Sequence, residues 1–334
     1  MKICVFGAGA VGGFLGARLA NAGADVSLIA RGDHLRRIKD EGLTILGRDE
    51  PLIVRPQCTD NPSEAGPHDV VFVALKTAAA PAAARLMKPL LGPKTTVVTA
   101  MNGLPWWYFH KHPGEFSGWR LASVDPGNRQ WDSIGPERAV GCVVYVASEI
   151  VAPGIIRHTY GNRFVLGEPN GEVSDRCRAI ARVTQQSGLK APIRRNIRQE
   201  IWIKLWGNLA FNPISVLTGA ALEDMVRDRG VRDVAHTMML EGKAVAEQLG
   251  IVFPISLEER IDATERVGAH KTSMLQDLER KKPLEIDALL GVVSELGKKL
   301  GIATPMVDAV YALTCRRAIE SGCPNLDSTI GSGT

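Results

Sequence analysis

The sequence has no Cys-x-x-Cys pair and no group of histidines and cysteines at zinc-like spacing, so no metal site is expected. Its six cysteines, Cys4, Cys58, Cys142, Cys177, Cys315 and Cys323, are scattered and read as reduced thiols of a cytoplasmic protein. No apolar run reaches about 18 residues, which argues against a membrane-spanning helix. Lys and Arg form no stripe, and basic and aromatic residues do not interleave as they do in a single-strand binder. A net charge of +4 suits a small anionic ligand and does not demand nucleic acid. A strand pattern starts at Ile3, leaving no room for a signal peptide.

What is present fits a globular protein. The chain has 334 residues, 45% hydrophobic and 23% charged, more than one core usually serves, so two domains are expected. Residues 3–6 form a short apolar run ending in glycine, and 24–30, 70–75 and 95–100 read as further buried strands. Helical spacing covers 10–22, a helix capped by Asp33 runs to 39, and an alanine-rich helix spans 78–91. This alternation predicts an α/β domain with a parallel sheet covered on both faces. Residues 106–137 carry aromatics, prolines and glycines without a period and read as an elaborated loop or short helices. Antiparallel strands are expected at 140–147, 154–158 and 163–167, a helix at 173–187 and a last short strand at 189–193. Beyond residue 194 only helices are expected, at 200–211, 230–249, 256–267, 285–300 and 305–321. The fold class is thus a Rossmann-type dinucleotide-binding domain over 1–193 followed by an all-helical substrate and catalytic domain over 194–325, with a tail at 326–334.

Gly7-Ala8-Gly9-Ala10-Val11-Gly12 is a GxGxxG sequence between a strand and a helix. Gly7 permits the tight turn, Gly9 lets the backbone approach a pyrophosphate, and Gly12 lets the helix pack on the sheet. The helix amino terminus then offers unpaired N–H groups to the phosphates. At the end of the second strand stands Arg31, where an NAD enzyme usually offers a carboxylate. Its guanidinium can hold a 2′-phosphate through paired donors, which predicts NADPH over NADH, with Arg36 and Arg37 adding to the field. The alternative is a solvated loop charge.

Lys204, Asn208 and Asn212 recur every four residues among Trp, Leu, Ile and Phe. On a helix they share one face, and polar groups in so apolar a setting need partners, such as a polar substrate. A stripe facing solvent fits the spacing equally well.

Taken together, the GAGAVGG turn, Ala30-Arg31-Gly32 with His34-Leu35, Leu75-Lys76, Asn102-Gly103, the Lys204/Asn208/Asn212 helix, and Ser273-Met274-Leu275-Gln276-Asp277 followed by Glu285-Ile286-Asp287 occur in one order along nearly the whole chain. In this the sequence resembles the ketopantoate reductase (2-dehydropantoate 2-reductase) family. The resemblance implies NADPH-dependent reduction of the C2 ketone of ketopantoate to pantoate, in pantothenate and coenzyme A synthesis. It implies Lys204 as general acid and Glu285 as the carboxylate that orients substrate and lysine. Asn208, Asn212 and Ser273 would contact substrate, Asn102 both substrate and cofactor, and Lys76 and Arg31 the cofactor. The helical half can offer a dimer surface, and a homodimer is one assembly that the sequence leaves open.

Each position also has a plainer reading. Lys76 can be a strand-end charge, Asn102-Gly103 an ordinary turn, Ser273 an N-cap, and Glu285 a first-turn carboxylate suited to the helix dipole. The Trp106-Trp107-Tyr108-Phe109 cluster is either local core or a substrate-side lid. Leu284, Leu290, Met101 and His270 depart from residues common in the family, and 104–137 is longer than in compact members. These departures leave open a relative that reduces another bulky 2-keto acid. A non-catalytic NADPH sensor is the reading of another class.

Overall fold

A computed structural model describes residues 1–47 and 50–324; the tail expected at 326–334 lies outside the described residues. Among the described residues nine strands form one sheet: β1 (Lys2–Phe6), β2 (Asp25–Ile29), β3 (Leu43–Leu46), β4 (Leu52–Val54), β5 (Gln57–Thr59), β6 (His68–Val73), β7 (Leu91–Thr99), β8 (Ala139–Ala152) and β9 (Ile155–Gly167). Their order is β4-β3-β9-β8-β7-β6-β1-β2-β5. The run from β5 to β8 is parallel, whereas β8 pairs antiparallel with β9, and β3 with β4. The sheet is therefore mixed: the strands expected at 3–6, 24–30, 70–75 and 95–100 pair in parallel, and the antiparallel pairing expected further along joins the same sheet through β8 and β9. The short strands β3 to β5 are too brief to show a period in the sequence.

Side chains alternate across this sheet and feed two cores. On β1, Cys4 and Phe6 join one core while Ile3 and Val5 join the other. The second core is closed by α1 (Ala10–Asn21) and by a helix at Asp175–Gln186. The first continues without a break into the helical part, through Trp202, Leu205, Trp206 and Leu209. Val140 and Cys142 of β8 face one core and Ala139 and Val143 the other, so the strand serves both.

Four expectations need correction. The alanine-rich segment is not one helix. It is a 3-10 turn at Thr77–Ala79, an α-helical turn at Ala80–Ala83 and a 3-10 helix at Ala84–Leu90, because Pro81 and Pro89 lack the N–H that a continuous α-helical ladder needs. The strands expected at 154–158 and 163–167 are one, since β8 and β9 form a single long hairpin bent at register shifts. Residues 189–193 make only isolated bridges, Arg163 with Lys190 and Leu166 with Ile193. Asp33 lies inside α2 (Gly32–Glu41), whose N-cap is Arg31, so it serves as a first-turn carboxylate.

The helical part begins with α3 (Ile197–Thr218), the longest helix. The Asn196 side chain caps it by accepting from Gln199 N, and Gly219 closes it in the left-handed conformation. It runs on through Pro213, beyond the end expected at 211, because tertiary burial of the flanking Asn212, Ile214 and Ser215 outweighs one lost backbone bond. Around it lie α4 (Leu222–Arg227), α5 (Arg229–Gln248), α6 (Leu257–Glu265), α7 (Ser273–Glu279), α8 (Val292–Leu300) and α9 (Pro305–Glu320). A π-turn at Asp287–Gly291 leads into α8. No helix among the described residues is long and apolar enough to cross a membrane.

Candidate active site

The strand order reverses beside β1, which has β2 on one side and β6 on the other. Open α/β sheets bind ligands at such a switch point, beyond the carboxyl ends of the strands. The glycine turn sits there. The Gly7 and Ala8 N–H groups both donate to Ile29 O, at 3.1 and 2.9 Å, and Gly7 has a φ of 103° that suits only glycine. A Cβ on Gly12 would lie 2.1 Å from Gly7 O and 2.9 Å from Ala74 Cβ, so helix and strand touch there. A Cβ on Gly9 would meet nothing within 4 Å. No neighbouring atom requires glycine at that position, and the open space above it is room for a ligand. The first turn of α1 holds no acidic residue, and no side chain caps it. Its free N–H groups and positive dipole end suit a pyrophosphate. The residues present therefore fit a dinucleotide.

His34 braces this turn. Gly154 N donates to His34 Nδ1 at 2.9 Å, which leaves Nε2 as the donor to Ala8 O at 2.9 Å. Burial holds this imidazole below its ordinary pKa, despite the bond to Ala8 O. Arg31 is exposed and forms no ion pair among the described residues. Arg36 pairs with Asp33 and Arg37 with Glu41, so their charge is partly spent locally.

The carboxyl ends of β6 and β7 carry the next residues. After β6, Lys76 donates to Asp277 Oδ2 of α7 at 2.5 Å and lies 3.6 Å from Glu285 Oε2. Thr77 N donates to Glu285 Oε1 at 3.2 Å, and its hydroxyl lies 3.1 Å from that same oxygen. After β7, Asn102 Nδ2 donates to Glu285 Oε2 at 2.9 Å. On its other side Asn102 Oδ1 accepts from Lys204 Nζ at 2.8 Å, and Lys204 also donates to Val144 O of β8 at 2.5 Å. These two partners fix the orientation of the Asn102 amide. Gly103 has a φ of 79°, and a Cβ there would lie 2.3 Å from Ala288 O. Asn102-Gly103 is thus no ordinary turn; it is pressed against the helical part.

Charge in this cluster is finely balanced. Burial lowers the Lys204 pKa to about 8, although Glu285 pulls it back up. Burial pushes Glu285 up, but the Lys76 ammonium and the donors of Asn102 and Thr77 outweigh it and hold the carboxyl below its ordinary range. Lys76 pays a burial penalty too, and Glu285 and Asp277 more than reverse it. Lys204 is therefore a half-buried ammonium with two donors engaged and one left for a ligand.

The structure brings together Lys76, Asn102, Lys204 and Glu285. Asn208 and Asn212 follow Lys204 along α3, and neither makes a side-chain hydrogen bond among the described residues. Ser273 does not join the cluster: it is exposed, and the N-cap of α7 is Thr272, whose side chain accepts from Leu275 N. Glu285 is buried and precedes the helical turns, so it is not a first-turn carboxylate on a solvated face. The sequence reading missed Thr77, the Val144 carbonyl and the part played by Asp277. Adjacency to Lys76 was the only signal for Thr77.

A glycine turn at a sheet switch point, with a half-buried lysine from a helical lobe held by Asn102 after a neighbouring strand, defines a dinucleotide-dependent oxidoreductase architecture. Comparison narrows it. The ketopantoate reductase PanE/ApbA model matches residues 3–171, and the PanE/ApbA C-terminal model matches 196–317. The chain belongs to the ketopantoate reductase family. It is 52% identical over 324 residues to a 2-dehydropantoate 2-reductase of Mesorhizobium japonicum, covering 97% of this chain and 99% of the relative. A Ralstonia solanacearum crystal structure assigned to the ketopantoate reductases superposes with a TM-score of 0.93 at 41% identity, covering 97% and 99% of the two chains. A D-mandelate dehydrogenase bound to NADH and anilino(oxo)acetate shares the fold, with a TM-score of 0.83 at 21% identity over 97% and 100%.

Gly9 and Gly12 separate ligand binding from folding. Gly12→Ala should destabilise the protein by about 1–3 kcal/mol through overpacking. Gly9→Ala should leave the melting temperature unchanged yet weaken dinucleotide binding by roughly tenfold or more, because its methyl group enters the pyrophosphate space. Thermal melts and cofactor titration on both variants check this, and undiminished binding by Gly9→Ala contradicts it.

Proposed function

We propose that the protein is an NADPH-dependent 2-dehydropantoate 2-reductase that reduces the C2 ketone of ketopantoate to pantoate. The observation that carries this reading is the Lys204 ammonium, held by Asn102 and tied through it to Glu285, at the strand ends that also carry the glycine turn. The match to the Mesorhizobium reductase over nearly both chains supports the substrate. The open space at Gly9 supports a dinucleotide, and Arg31, exposed and without an ion pair among the described residues, supports NADPH.

When bound, NADPH supplies a hydride to the ketone carbon. Lys204 donates a hydrogen bond to the ketone oxygen, stabilises the negative charge that grows there, and delivers the proton. Asn102 aims the ammonium, and Glu285 keeps it charged at neutral pH against the cost of burial. Asn208 and Asn212, on the same helix, offer amides to the substrate carboxylate and hydroxyl. Ser273 would reach the substrate only if α7 moved toward it, consistent with closure on binding. Lys76 shields the Glu285 charge at the cofactor side. We place the division between the two parts near residue 194, after the last bridge to the sheet at Ile193.

Among the described residues the six cysteines are unpaired and five are buried, which supports a reducing compartment such as the cytoplasm.

An assay of ketopantoate with NADPH tests the reading. Lys204→Ala should lose orders of magnitude in turnover while binding NADPH normally, and near-normal turnover would refute the assignment. NADPH should bind more tightly than NADH by roughly tenfold or more, and Arg31→Ala should close most of that gap. Equal dissociation constants in the wild type would defeat the NADPH reading.

A further inference from the structure

A second half-buried cation lies against the lysine helix without a counter-charge. Arg260 is the only basic residue of α6 and forms no ion pair among the described residues. The acids beside it on α6 are engaged elsewhere. Glu258 and Asp262 pair with Arg232, Glu265 pairs with Arg227, and Glu259 accepts from Ser256 N in a capping box. The Arg260 guanidinium has one acceptor among the described residues, Thr264 Oγ1, 3.2 Å from Nη1. Its Nε and Nη2 have none. Burial works against the charge and lowers its pKa.

The α3 helix fixes where that guanidinium sits. A Cβ on Gly207 would lie 2.3 Å from Arg260 Nη2 and 2.9 Å from its Cζ. Gly207 stands three residues after Lys204 and one before Asn208, so the three belong to one side of the helix. Glycine is a poor residue for the middle of a helix. The atoms closest to the missing side chain are those of the guanidinium, so the glycine is the space that Arg260 fills. From α6 the guanidinium reaches toward the sheet, because Arg260 and Tyr145 of β8 each shift the other's protonation. The Tyr145 ring has Lys204 Nζ 5.7 Å and the Arg163 guanidinium 4.1 Å from its centroid. Three cations thus gather about Tyr145. Glu200 acts on the same ring, but Arg194 pairs with it at 3.0 Å. Positive charge is left over beside the Lys204 ammonium.

We propose, building on the reductase reading, that Arg260 binds the carboxylate of the 2-keto acid. In such a substrate the carboxylate is bonded directly to the ketone carbon. A ketone held by Lys204 therefore brings the carboxylate toward the next turn of α3, where Gly207 makes room for the guanidinium and Asn208 adds an amide. Nε and Nη2 are the two parallel donors that match a carboxylate. The anchor then comes from α6, while Ser273 of α7 stays exposed.

The test measures reduction by NADPH of ketopantoate and of its neutral lactone, in which the carboxylate is closed into an ester. Arg260→Gln should raise the KM for ketopantoate by roughly tenfold or more, with a smaller change in kcat. Its kcat/KM for the lactone and its NADPH affinity should stay nearly unchanged. Gly207→Ala should raise the same KM without lowering the melting temperature, since alanine favours the helix and displaces only the end of a flexible side chain. Added guanidinium ion should restore part of the ketopantoate activity of Arg260→Ala. If Arg260→Gln fails to fold, Gly207→Ala carries the comparison. An unchanged KM in the variants overturns the inference. Equal losses on both substrates, or no rescue by guanidinium, mean a structural role and overturn it as well. A wild type that binds NADPH but reduces neither compound defeats the reductase reading itself, and the assignment of Arg260 falls with it.

Discussion

The site depends on one amide. Asn102 accepts from Lys204 and donates to Glu285, and so couples a cation and an anion that do not touch. Without it, the ammonium would be half-buried with only a backbone carbonyl for company. Lowering a lysine from 10.5 to about 8 corresponds to roughly 3 kcal/mol against charging, and the nearby carboxylate works against that loss. The carboxylate is held in turn by Thr77 and Lys76. Removing one member of such a buried network leaves another uncompensated, which is why the members act as a unit.

The fold makes that convergence possible by sharing a core. One face of the sheet is covered by α1 on the cofactor side, and the other runs into the helical part through α3. Lys76, Asn102 and Val144 all come from the sheet, whereas Lys204, Asp277 and Glu285 come from helices or their approaches. The lysine is thus a sheet-facing group on an apolar helix. Its Val144 bond ties it to β8, while the Lys76–Asp277 pair ties β6 to α7. Gly103 permits the closest approach between the parts, where a side chain would strike the Ala288 carbonyl.

Much of this was legible in the sequence, for local reasons. The glycine spacing and Arg31 follow from strand, turn and helix in immediate succession. Lys204, Asn208 and Asn212 follow from a single helical period. The rest depends on contacts that local pattern does not encode. Asn102 meets Glu285 across 183 residues, and Lys76 meets Asp277 across 201. Glu285 read alone is a first-turn carboxylate, and only burial shows otherwise. Alanine content suggested a helix where Pro81 and Pro89 break the ladder, and the β8–β9 hairpin was divided at bends that tertiary pairing bridges. Ser273 came from a motif, and its exposed position shows that a motif can mark a helix start without placing the side chain in the cluster.

The most direct measurement is a titration of the Lys204 ammonium by NMR on isotope-labelled lysine, in the wild type and in Glu285→Gln. The coupling through Asn102 predicts a midpoint near pH 8 in the wild type and a lower one in the variant, because loss of the carboxylate favours the neutral amine. A midpoint at the ordinary value of 10.5, unmoved by Glu285→Gln, would contradict the account.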